Sequence, residues 1–166
     1  MKEIFHRASI RKFQEKSVEE EKVKQILKAA MASPSAKNGR PWEFYVIRNK
    51  NILQKLSETT PYSMCVKNAP IAIVICYQKE GIAPEFSDID CAIATENILL
   101  EIDHLNLGAV MIGVSPNEER MKKVEEILDV PNNLRAFTII PFGYPEKEKT
   151  QQDRYEAEKI HYIEEN

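Results

Sequence analysis

Arg7, Ser9 and Arg11 stand at alternate positions in the run Arg7-Ala8-Ser9-Ile10-Arg11-Lys12-Phe13. Two planar guanidinium forks with a hydroxyl between them can saturate the oxygens of a phosphate without help from a glycine loop. The first sixteen residues hold five basic side chains, Lys2, Arg7, Arg11, Lys12 and Lys16, against two acids, in a chain whose net charge is −3. The same excess also fits a basic arm that pairs with acidic neighbours. A second segment, Ser33-Pro34-Ser35-Ala36-Lys37-Asn38-Gly39-Arg40-Pro41-Trp42, combines small residues with two prolines. Such a loop lets backbone approach a flat ligand closely, and Ser35 and Asn38 offer donors and acceptors to a heteroaromatic edge. An ordinary helix-to-strand connection rich in turn formers has the same composition. Trp42 is expected to pack beneath as apolar support.

Other constellations are missing. His6, His104 and His161 are scattered, with no H-E-x-x-H and no cysteine at ligand spacing, so no metal site is expected. No G-x-S-x-G elbow occurs, and acid pairs such as Asp88/Asp90 and Glu125/Glu126 read as helix-start or surface charge. An enzyme built from this chain would have a cofactor carry the chemistry, with no catalytic side chain of its own. The five glycines, Gly39, Gly81, Gly108, Gly113 and Gly143, lie too far apart for G-x-G-x-x-G or G-x-x-x-x-G-K-[ST]. A nucleotide-like group must be held another way. The acidic balance argues against nucleic acid or an anionic membrane as the main partner. No apolar window is long enough for a membrane span, and the first residues lack the apolar run of a signal peptide. Cys65, Cys76 and Cys91, never spaced C-x-x-C, suit reduced packing thiols, and a cytoplasmic location is expected.

Taken together, the two segments resemble the FMN-dependent nitroreductase family, which carries R-x-S-x-R-x-[FY] and then P-S-x-x-N-x-Q-P-W. Arg7, Ser9, Arg11 and Phe13 match the first motif; Pro34, Ser35, Asn38, Pro41 and Trp42 match the second, with Arg40 in place of glutamine. Further matches follow in order: Ala69-Pro70 before an apolar strand, the Asp90 to Asn97 stretch, Leu107-Gly108 through Ile112-Gly113, and Gly143-Tyr144-Pro145.

The resemblance implies an α+β fold with a mixed sheet flanked by helices, an intertwined homodimer, and FMN bound in the dimer interface. It places Arg7, Ser9 and Arg11 at the FMN phosphate, joined by Arg154 from the tail, where Gln152 departs from the family's lysine. Pro34, Ser35, Ala36 and Asn38 would come from the partner subunit to the flavin and ribityl chain. Met111, Ile112 and Gly113 would lie along the isoalloxazine, with Gly113 letting a backbone N–H approach N5. The implied activity is ping-pong hydride transfer from NADH or NADPH, through flavin N5, to nitroaromatic, quinone or similar small electron-poor acceptors. The competing role is a flavin-binding dimer for storage, sensing or partner binding. Because the connection from Lys50 to Val66 is brief for the family, the flavin face should be relatively open and the acceptor weakly specified. Tyr62, Met64 and Phe86 are candidates for lining it, with core packing as the alternative for each.

Elements must position these residues. The capping-box form Ser17-Val18-Glu19-Glu20 predicts a helix whose stripe is Val23, Ile26, Leu27, Ala30 and Met31, stopped by Pro34. Ser115-Pro116-Asn117-Glu118 predicts another, with Met121, Val124, Ile127 and Leu128 inward. A long helix over 87–107, apolar nearly all round, needs a central place or a subunit interface. A small amphipathic helix is expected over 52–56. Strands are expected at 43–47, 71–77, 109–112 and 136–142. One domain spans 1–166, and its tail from 145 is expected to extend over the partner.

Overall fold

The centre of the architecture is β2 (Ile71–Gln78), whose sequence is apolar on both faces. In a computed structural model that describes residues 2–147 and 153–163, its first six residues are all buried. Side chains alternate across a strand, so Ile71, Ile73 and Ile75 enter one apolar cluster while Ala72, Val74 and Cys76 enter another. Each isoleucine or valine among them stabilises the fold by roughly 1.5–3 kcal/mol on full burial, so two covered faces are the stable outcome.

Antiparallel ladders join β1 (Trp42–Ile47) and β5 (Leu134–Gly143) to the two edges of β2. The far side of β5 takes β3 (Gly108–Ala109) and β4 (Ile112–Gly113), again antiparallel. The N-terminal arm adds a parallel bridge, Ser9 to Ala109. Helices α2 (Glu20–Met31) and α4 (Ser87–His104) cover the face with Ile73, and α3 (Lys50–Leu56) and α5 (Glu118–Leu128) cover the other. A one-turn helix, α1 (Glu3–His6), lies against α4. No helix among the described residues is long and apolar enough to cross a membrane.

The strand expected at 109–112 is instead two short strands, although the register runs unbroken, Ala109 opposite Phe142 and Ile112 opposite Ile139. The gap at Val110 and Met111 falls opposite Pro141, which has no N–H to return, and Val110 N reaches the Pro141 carbonyl only at 3.4 Å. A bulge in β5 leaves Phe137 outside the pairing with β2. Its carbonyl accepts from both Val114 and Ser115 N–H, at 3.2 and 2.9 Å, and so turns the chain away after Gly113.

Helix starts also depart from expectation. Ser17 does not cap α2; its N-cap is Glu19, whose side chain makes no cap and instead accepts from the Tyr144 hydroxyl at 2.8 Å. At α5 the cap is Asn117, accepting from Arg120 N at 3.0 Å, while Ser115 donates to Asp88 at 3.1 Å. The central helix α4 stops at His104 because Asn106 turns left-handed, φ 57°. Ile89 on α4 stays 56% exposed.

Candidate active site

Arg11, Tyr62, Val110, Met111, Ile112, Gly113 and Arg120 line one open cavity of about 460 Å³. The split strand creates its floor. Val110 and Ile112 are buried beneath, Met111 is 41% exposed, and the Thr138 hydroxyl pins the Ile112 carbonyl at 2.8 Å. Gly113 is open on the side where a side chain would stand, since a Cβ there would meet nothing within 4 Å beyond its chain neighbours. By contrast a Cβ at Gly108 would come within 2.7 Å of Ile10, so that glycine is needed for the arm to lie against β3.

The arm carries Arg11 to this cavity, but it does not bring Arg7 there. Arg7 Nε lies 3.6 Å from Glu96 on α4, while Ser9 is exposed and held by its backbone bridge. The arm therefore shows both roles open to it in sequence, an acid-paired arginine and an unpaired one. Arg11 forms no hydrogen bond or ion pair with any described residue. Its charge falls near Cys65, where burial outweighs it and pushes the thiol up from its ordinary value. Cys76 is pushed up to about 12 and Cys91 is also raised, each first by burial, so the three buried cysteines are protonated packing groups.

The loop with Pro34, Ser35, Ala36 and Asn38 lines no part of that cavity in the same chain. It is tightly fixed. Ser35 Oγ accepts from Arg40 N at 3.0 Å, and the buried Asp90 of α4 accepts from Ala36 N at 3.0 Å. Asn97, also on α4, donates to Ser33 Oγ at 2.8 Å and to the Ala29 carbonyl at 3.2 Å. Lys37, Asn38 and Arg40 take φ values of 50°, 56° and 46°, which L-residues adopt only when surroundings hold them there. Trp42 is buried beneath, as expected.

Of the three residues considered for the acceptor face, none is core: Tyr62, Met64 and Phe86 are 73%, 54% and 42% exposed. Tyr62 alone of them lines the cavity. Arg154 is exposed in the tail, and Gln152 lies outside the described residues. Two residues were not legible as site residues. Arg120 reads as one more charge on a solvated helix, and Asp90 as a helix-start acid. Among the described residues no group of three or more potential ligands is placed to hold a metal.

A family model described as Nitroreductase family matches residues 4–61 and 59–144. The chain belongs to the Nitroreductase family. A Methanothermobacter thermautotrophicus relative, provisionally named NADH dehydrogenase/NAD(P)H nitroreductase, is 43% identical over 93% of this chain and 82% of its own. Among solved structures, an FMN-dependent nitroreductase from Clostridium difficile is 35% identical with a TM-score of 0.90, covering 95% of both chains. A provisionally named nitroreductase from Desulfovibrio desulfuricans, solved in complex with FMN, is 27% identical with a TM-score of 0.83, covering 99% of this chain and 96% of its own. Within this nitroreductase fold, Asp90 and Asn97 now have a structural role, since both tie α4 to the loop at 33–36.

Proposed function

We propose that this nitroreductase-family chain is an FMN-dependent oxidoreductase that takes electrons from NADH or NADPH and passes them to small electron-poor acceptors such as nitroaromatics or quinones. The observation that carries the reading is the cavity: an unpaired arginine, an apolar floor and an open glycine on one surface. These residues fit a flavin nucleotide. Arg11 supplies a cation for its anionic part, with Arg7 and Ser9 on the same arm and Arg154 from the tail. Met111 and Ile112 offer apolar surface to a flat ring, and Gly113 leaves the backbone N–H at the end of β4 accessible. When bound, FMN supplies a hydride acceptor and donor at N5, so that donor and acceptor use the cavity in turn. The protein's part is to bind, orient and keep the ring edge in a fixed electrostatic field.

The working unit in this reading is a homodimer, in which Pro34, Ser35, Ala36 and Asn38 of one copy complete the cavity of the other. Three features support it. The loop is held by its own chain yet lines no part of that chain's Arg11 cavity. A groove lined by Ile4, Ala29, Ala32 and Leu100, together with polar residues including Glu101 and His104, lies open beside α4. The tail exposes Tyr155, Ile160, Tyr162 and Ile163, from 41% to 98%, which is far more apolar surface than a free tail should show. The tail from 145 then belongs with the single domain as its extension over the partner, and the location is cytoplasmic.

Purified protein is expected to be yellow and to bleach under anaerobic conditions on addition of NADH or NADPH, with colour returning when an acceptor is added. A colourless chain that FMN cannot reconstitute overturns the cofactor. Bound flavin that neither nucleotide reduces leaves the storage or sensing role standing instead.

A further inference from the structure

Arg120 is half-buried on the first turn of α5 and lines the cavity. Acids flank it in sequence, yet both are committed elsewhere. Glu118 pairs with Arg135 at 2.6 Å and Glu119 with Lys123 at 2.8 Å. Arg120 itself makes no side-chain hydrogen bond or ion pair with any described residue. The contrast with Arg48 and Arg135 is direct, since each of those meets a glutamate at 2.9 Å. No carboxylate lines the cavity, so Arg11 and Arg120 bring two positive charges to it in a protein of net charge −3; Glu119, held below the usual carboxylate range first by Lys123 and also by Arg120, is not among the lining residues.

Resting on the FMN reading, in which Arg11 is taken by the cofactor, we infer that Arg120 binds an anionic group on the second ligand of the cavity. The ligand class is a flat molecule bearing a carboxylate or phosphate: Tyr62, 73% exposed at the same cavity, and the apolar floor suit a ring, and the guanidinium fork suits two oxygens. Two sources carry that chemistry, an acidic aromatic acceptor and the 2′-phosphate that distinguishes NADPH from NADH.

The test uses the FMN-loaded protein and its Arg120→Ala and Arg120→Lys variants. Benzoate and its neutral isostere benzamide are titrated calorimetrically in one arm; KM values for NADPH and NADH are compared in the other. The wild type should favour the anionic member of one pair by about tenfold, the size of one charge-assisted contact. Arg120→Ala should abolish that preference, Arg120→Lys should keep part of it, and FMN affinity should be unchanged in both. Loss in the benzoate arm assigns an acidic acceptor; loss in the nucleotide arm assigns the donor's phosphate. No preference in either wild-type arm, or an equal loss for charged and neutral members, overturns the inference. So does an Arg120→Ala variant that releases FMN, because Arg120 would then belong to the cofactor's grip. A wild type that never takes up FMN is a different failure, that of the flavin reading itself, and is visible before either arm begins.

Discussion

At the cavity floored by Val110 to Gly113, two arginines line open space and neither side chain makes an ion pair or hydrogen bond with a described residue. At the loop of residues 33–40, Ser33 Oγ, Ser35 Oγ and Ala36 N all have partners, and the backbone is held in a left-handed conformation at three positions. The first region has charge without partners, and the second has partners but lines no part of the first region's cavity. A surface of the first kind gains energy only when a ligand arrives, whereas one of the second kind has already used its folding energy to hold a shape. In the dimer proposed above they would be complementary halves: a cation that captures and a fixed template that limits what fits.

Removing the capturing cation breaks the comparison most strongly. Arg11→Ala should weaken FMN binding by about 1.5–3 kcal/mol, roughly ten- to hundredfold in Kd, because a charge-assisted contact is lost and no described residue replaces it. The fold should be untouched, since Arg11 is exposed and unpaired. Flavin fluorescence quenching measures the affinity and urea unfolding of the apo chain measures the fold. An unchanged Kd would show that the cavity's charge serves something other than the cofactor.

The loop should respond in the opposite sense. Asp90 is 3% exposed and accepts from Ala36 N at 3.0 Å, so Asp90→Ala leaves a partly buried N–H without its partner. The expected cost is about 1–2 kcal/mol in urea unfolding of the apo chain, with Asp90→Asn recovering most of it by keeping an acceptor. In the dimer reading the alanine variant also shifts the visible spectrum of bound flavin, because the displaced loop belongs to the partner's cavity. A stability loss with an unmoved spectrum would confine Asp90 to holding its own chain together.

What was readable in advance divides along the same line. Apolar periodicity gave the helices at α2, α4 and α5 and the strands at β1, β2 and β5, because burial on both sides of β2 leaves little choice of partner. The site motifs were readable because Arg7, Ser9, Arg11 and the 33–42 loop are contiguous in sequence. Arg120 was not, since its significance lies in where Glu118 and Glu119 turn, and that depends on Arg135 and Lys123. The split between β3 and β4 depends on Pro141 opposite Val110, about thirty residues away in the chain, and no local pattern near 110 announces it. Ser17 has the form of a cap, but the helix begins two residues later, with Glu19 at the N-cap position and its carboxylate bonded to the Tyr144 hydroxyl. In each case a long-range partner outcompeted a local preference of about 1 kcal/mol.

The finest probe sets two glycines of the same strand pair against each other. At Gly108 an added methyl would strike Ile10 at 2.7 Å, so glycine there is required by the chain's own packing. At Gly113 the methyl would meet nothing within 4 Å, and the backbone is not in the left-handed region, so the folded chain gives no reason for glycine. Gly113→Ala should therefore leave apo stability unchanged or raise it by about 0.5 kcal/mol, as expected when unfolded-state freedom is reduced at a compatible site. If the open side of Gly113 is where the flavin ring approaches the backbone, the same variant should bind FMN about fivefold more weakly, near 1 kcal/mol. Both numbers come from one protein preparation, the first by urea unfolding and the second by fluorescence titration. A stable variant with unaltered FMN affinity would move the ring away from the end of β4 and leave Arg11 as the cavity's one tested link to the cofactor.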